Sequence, residues 1–153
     1  MQKITIEPFK LIGLAIRTTN EGQQAAQDIG DLWQRFLDEN ISVKIPNKVD
    51  ESIYSLYTNY EGDYTRPYTA MLGCKVSSLD EVPDGMTGQA FDGGLYLKTT
   101  TRGDLMNGLI VNHWSRIWDM DLDRAYTADF ELFGEKSQNP ADAEVDFFVA
   151  LNE

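Results

Sequence analysis

Glu131 is the residue of this sequence whose surroundings most invite chemistry, because it stands in an otherwise apolar run among Phe130, Leu132 and Phe133. A carboxylate is costly to bury in such a run unless something compensates it. Sharing a cleft with aromatic side chains, it would suit an organic cation with a flat apolar body. Opposite unit charges 4 Å apart attract by about 4 kcal/mol at an effective dielectric near 20, and each ring face covering a cation adds roughly 0.5–2 kcal/mol. Plain strand alternation gives the other reading, with Glu131 turned to solvent. Seven Tyr, seven Phe and three Trp supply candidate walls. Tyr54, Tyr57, Tyr68 and Tyr96 are the expected ones, since a strand tyrosine combines a stackable ring with a hydroxyl that wants a polar partner. Trp33, Trp114 and Trp118 lie on helix stripes, where core packing competes with a place in the cleft.

Other chemistries find little support. His113 is the only histidine and Cys74 the only cysteine, so paired-histidine metal sites, Cys-rich zinc clusters and disulfides within one chain are absent. His113 reads as a packed, hydrogen-bonded histidine and Cys74 as a small strand residue. Asp119, Asp121 and Asp123 alternate like a calcium loop, but Arg124 and Phe130 stand where that loop needs Gly and Glu, leaving a solvated acidic turn. No phosphate-binding glycine loop, dinucleotide fingerprint or Gly-x-Ser-x-Gly elbow is present. Neither cofactor nor metal is expected.

The elements that must position these residues are short. The 153 residues are 42% hydrophobic and 25% charged, the composition of a single domain, 1–153, with a real core. A formal net charge of −12 argues against nucleic-acid binding by this chain. No apolar run reaches the roughly 18–20 residues of a bilayer span, and the N-terminus has no signal-peptide core, so no membrane partner and a cytoplasmic location are expected. Lys3 to Arg17 reads as a strand interrupted at Pro8, followed by a helix with Asn20 as N-cap and a stripe from Ala25 to Leu37. Residues 53–57 and 68–76 read as paired strands, and 77–88 as a linker. Gly13 to Leu37 then matches Gly94 to Trp118 at an offset of 81, with Trp33 on Trp114 and Arg35 on Arg116. Strand-like runs at 128–134 and 145–151 close the second half. The expected fold class is α+β: duplicated β-α-β-β units, repeats at about 1–77 and 88–153, related by a pseudo-two-fold. Antiparallel sheets and two main helices would leave a ligand cleft between the halves.

The stretches 13–21, 53–60 and 68–73, with Trp114-Ser115-Arg116-Ile117-Trp118 and Asp129-Phe130-Glu131-Leu132-Phe133, carry a resemblance over nearly the whole chain. The sequence resembles the GyrI-like small-molecule-binding domains, the effector-binding modules of multidrug-sensing transcription regulators, and among them the freestanding integron-associated effector-binding proteins. The resemblance implies an aromatic cleft with one carboxylate deep inside it, at the position of Glu131. Family regulators carry a separate helix-turn-helix domain for which the repeat leaves no residues, so any gene regulation would need a separate regulator protein. Monomer and dimer stay equally open.

Three functions follow as expectations. The first is capture of lipophilic, cationic aromatic molecules, as a freestanding drug sensor or sequestering protein. The second is an enzyme, because some GyrI-like proteins hydrolyse strained cyclopropanoid compounds and a carboxylic acid beside a tyrosine can act as general acid or base, Glu131 then being catalytic. The third is a protein-interaction module such as a gyrase inhibitor, suggested by the acidic surface.

Overall fold

The interruption at Pro8 divides the N-terminal segment into β1 (Gln2–Ile6) and β2 (Phe9–Thr18), because proline has no N–H for a ladder. The computed structural model describes all 153 residues. After a 3-10 turn at Glu21–Gln23 the chain forms α1 (Gln24–Asp38), the short α2 (Ile41–Lys44), β3 (Ile53–Thr58) and β4 (Tyr68–Val76). β5 (Thr87–Phe91), β6 (Gly94–Gly103), α3 (Leu109–Trp118), β7 (Ala128–Phe133) and β8 (Ala143–Ala150) repeat the order. The fold is α+β, as the sequence implies. The strands make one antiparallel sheet of eight, in the order β1-β6-β8-β7-β3-β4-β2-β5, where separate sheets were expected. β5 also extends beyond the expected β-α-β-β pattern; Thr-Gly-Gln-Ala-Phe offers too few apolar residues to announce a strand.

β1 and β2 both pair with the β5–β6 segment in one register, Gln2 facing Lys98 and Phe9 facing Phe91. Gly93 sits opposite the break at φ 75°, where a Cβ would lie 2.2 Å from the Ile6 carbonyl oxygen. The sheet curls so that its inner face closes over one aromatic core. The Phe130 ring on central β7 lies 5.6 Å from Phe9, 5.8 Å from Tyr96 and 4.7 Å from Phe148, residues of three other strands. On the outer face α1 seats Leu32 and Phe36 against Ile12, Leu14 and Leu72. α3 seats Trp114 and Ile117 against Leu97, Val145 and Phe147. Each such side chain, fully buried, stabilises the fold by about 1.5–3 kcal/mol. The outward residues of β3 and β7 are left between the two helices.

The element bounds recur at 85 residues as far as the helix starts, Gln2 and Thr87, Phe9 and Gly94, Gln24 and Leu109, at 80 for the helix ends Asp38 and Trp118, and at 75 for the starts of β3 and β7 and of β4 and β8. The offset of 81 that aligns the identities falls within this range, one residue from the spacing of the helix ends. Asn20, expected as the cap of α1, makes no cap with its side chain. Its Nδ2 donates to the Tyr64 carbonyl oxygen (2.7 Å) and its Oδ1 accepts from the Tyr68 hydroxyl (2.7 Å), tying the start of α1 to the β3–β4 connection.

Candidate functional site

Alternation along β7 puts Phe130 and Leu132 into the curled core, so Asp129 and Glu131 must face the helices. Glu131 pairs in register with Ser55 of β3 and Phe147 of β8, and only 1% of it is exposed. The Tyr57 hydroxyl donates to Glu131 Oε1 at 2.9 Å and lies 3.1 Å from Ser55 Oγ. Oε2 has no hydrogen-bond partner, nor has the buried indole N–H of Trp114. Burial raises the Glu131 pKa to about 8 against the opposing pull of Tyr57 and of the nearby Trp114 indole, which acts without meeting hydrogen-bond geometry. Glu131 is thus mostly protonated at neutral pH. Burial first, then Glu131, pushes the Tyr57 hydroxyl well above its ordinary value, so it stays a donor.

Aromatic edges enclose this carboxyl. Tyr57 meets Trp114 edge-on at 5.7 Å and Tyr68 at 5.9 Å. Of the expected wall residues, the structure thus brings Tyr57, Tyr68 and Trp114 to Glu131. Trp118, at the end of α3, stacks on Tyr64 at 4.9 Å and 6°. Trp33 packs edge-on against Phe133 (5.0 Å) and Phe36 (6.3 Å), beside the α1 core. Tyr54 and Tyr96 are elsewhere: both belong to the inner core, on the opposite face of the sheet from Glu131. A step of one residue along a strand reverses the face, and the run Ile53 to Thr58 carries one tyrosine, one aliphatic and one hydroxyl residue on each. Burial raises the Tyr54 hydroxyl to about 12 and moves Tyr96 the same way.

A second charged cluster adjoins the first, and sequence reading passed over it. Asp129 has no exposed surface and accepts from the Ala150 amide (2.7 Å), the Tyr60 hydroxyl (2.6 Å) and Arg124 Nη2 (2.8 Å). Its position two residues before Glu131 on the same strand face was the available signal. Arg124 is one of the two residues that spoil the calcium-loop pattern. Its side chain is 6% exposed, its guanidinium lies 4.4 Å from the Tyr126 ring centroid, and it stands 6.0 Å and 5.9 Å from those of Tyr64 and Trp114. Tyr60 bridges the clusters, 5.6 Å from Tyr68 and 5.4 Å from Tyr126.

His113 bonds through Nε2 to Thr99 Oγ1 (2.7 Å) with its ring 4.4 Å from Phe147, and burial, then Arg116, lowers its pKa. Cys74 is buried, its thiol pushed up to about 11 by burial. No three His, Cys, Asp or Glu side chains converge as metal ligands, and no helix is long and apolar enough to cross a membrane.

Known proteins share this architecture. The YobU protein of Bacillus subtilis is 27% identical over 146 residues, covering 93% of this chain and 91% of its own. The integron cassette protein VCH_CASS2, from the mobile metagenome of Vibrio cholerae, superposes with a TM-score of 0.76 at 27% identity, covering 99% of this chain and 95% of its own. SAV2435, solved bound to tetraphenylphosphonium, shares the fold with a TM-score of 0.75 at 14% identity over 99% of this chain and 93% of its own. The family description "integron-associated effector binding protein" matches residues 4–151, nearly the whole chain, and the protein belongs to that family, Cass2.

Proposed function

We propose that the protein binds lipophilic organic cations between α1 and α3, with Glu131 as counter-charge and Tyr57, Tyr68 and Trp114 as the surrounding rings. The observation that carries this reading is Glu131 itself: a buried carboxyl with one oxygen unpartnered, no cation of the protein on it, and aromatic edges around it. An arriving cation replaces the missing partner and ionises the carboxyl, so binding releases a proton near neutral pH. Because Glu131 is 1% exposed, a ligand must part the Trp114 and Tyr68 rings to reach it, which suits a bulky apolar ion better than a small hydrated one. The tetraphenylphosphonium bound to SAV2435 is an ion of this kind. Family membership and the likeness to VCH_CASS2 support the same reading. Action as a freestanding drug sensor or sequestering protein then requires saturable binding that leaves the ligand intact. Fluorescence titration of Trp114 and its neighbours with tetraphenylphosphonium, repeated on Glu131→Gln, tests the proposal; binding that ignores the substitution refutes it.

The Tyr57–Glu131 contact also gives the hydrolase reading a geometry. A carboxylic acid protonated at neutral pH, with a hydroxyl 2.9 Å away, can pass a proton to one carbon of a strained C–C bond as it breaks, while water adds to the other carbon and returns its proton to the carboxylate. Mass spectrometry of an electrophilic cyclopropane before and after incubation separates the two: turnover lost in Glu131→Gln establishes hydrolysis, and intact ligand leaves binding alone.

A further inference from the structure

Arg124 sits in the cleft as a cation sits in a receptor. Its guanidinium is enclosed by the rings of Tyr126, Trp114 and Tyr64 and ion-paired with a carboxylate that has no exposed surface. Only one of its three nitrogens finds an acceptor: Nε and Nη1 are buried without partners, an incomplete satisfaction for a group with five donors. Burial lowers its pKa, but Asp129 and Tyr60 outweigh that and hold it above its ordinary value, so it remains charged. Tyr126 contributes its ring from a left-handed backbone at φ 54°, a conformation bulky residues seldom adopt. The backbone around Arg124 is pinned, with Ala125 N–H donating to the Ala150 carbonyl (2.9 Å) and Asn152 N–H to that of Asp123 (2.9 Å). The side chain alone can leave.

Asp129 and Glu131 are two residues apart on one face of β7, which sets their Cα atoms about 7 Å apart. Trp114 borders both, its ring near Arg124 on one side and Tyr57 on the other. We infer that Arg124 is a tethered stand-in for half of an extended ligand: its cage and Asp129 form a second cation subsite, continuous with that of Glu131, which a flat aromatic dication fills by displacing the Arg124 side chain into solvent. Monocations use Glu131 alone and leave Arg124 in place. The structure so distinguishes ligands by charge number, since a dication must compete with the protein's own cation for the second carboxylate.

The inference rests on the cation-binding reading of Glu131, and a matched pair of probes separates the two. N-methyl-4-phenylpyridinium and N,N′-dimethyl-4,4′-bipyridinium have similar shapes, and carry one and two charges. Calorimetric titration of wild type and Arg124→Met with both is expected to show the dication gaining at least tenfold in affinity on substitution and the monocation less than threefold. Equal changes for the two probes, or no change for either, overturn the second subsite while leaving Glu131 untouched. Failure of wild type to bind the monocation or tetraphenylphosphonium overturns the reading beneath it. Because Arg124→Met leaves Asp129 without its cation, the pair Arg124→Met/Asp129→Asn is measured alongside; it removes the lone buried charge and is expected to lose the dication gain. A gain that persists in the double variant overturns the inference, and should the single variant not fold, Arg124→Gln, which can still donate to Asp129, takes its place with the same outcomes for the two probes.

Discussion

Replacing Glu131 by Gln should stabilise the empty protein, by an amount that grows with pH. Burial raises the carboxyl from an ordinary 4.5 to about 8 in the folded chain. The folded state therefore keeps a proton that the unfolded chain releases above about 4.5, and stability falls as pH rises from there toward 8. Each pH unit in that window costs about 1.4 kcal/mol, so the penalty is about 3 kcal/mol at pH 7 and increases by about 2 kcal/mol between pH 6 and 8. Glutamine keeps an acceptor for the Tyr57 hydroxyl and has no proton to lose. Urea unfolding of both proteins at pH 6, 7 and 8 reads the difference directly, other titrating groups cancelling between them. A stability gap that stays flat across the three pH values would refute the buried, high-pKa carboxyl and, with it, the idea that the site carries an uncompensated charge for a ligand's use.

Tyr57→Phe removes a hydrogen bond that lowers the Glu131 pKa, so cation affinity at pH 7 should fall several-fold, and the loss should shrink at pH 9, where more of the carboxyl is ionised in both proteins; titrations at the two pH values check this. Tyr54→Phe and Tyr96→Phe alter hydroxyls in the inner core, on the far face of the sheet, and should change tetraphenylphosphonium affinity by less than twofold in the same assay. Gly13→Ala would bring a Cβ within 1.9 Å of the Leu72 carbonyl oxygen where β2 faces β4, and should destabilise the fold by more than the roughly 1 kcal/mol of an ordinary substitution, as read by urea or thermal unfolding.

The architecture was legible because it rests on periodicity. The stripes of α1 and α3 and the strand pair β3–β4 follow from spacing alone, and the conspicuous carboxyl in an apolar strand pointed to Glu131. What escaped has physical causes. Tyr54 and Tyr57 both belong to β3, and only the pairing of Ser55 with Glu131 decides which ring shares the face of that carboxyl. β5 was hidden by its low apolar content, and the sheet's curl leaves no local trace. The pairing of Arg124 with Asp129 went unread because their burial depends on rings drawn from Tyr60, Tyr64 and Tyr126, in segments with no repeating pattern.

The most direct test of the central claim is the tetraphenylphosphonium affinity of wild type and Glu131→Gln at pH 6 and pH 8. A site that accepts the cation only when Glu131 is ionised should bind roughly fifty-fold more tightly at pH 8 than at pH 6, given a pKa of about 8. The variant should bind at least tenfold more weakly than wild type at pH 8, with little dependence on pH. Wild-type affinity that does not change with pH, or a variant that binds as tightly, would contradict the account.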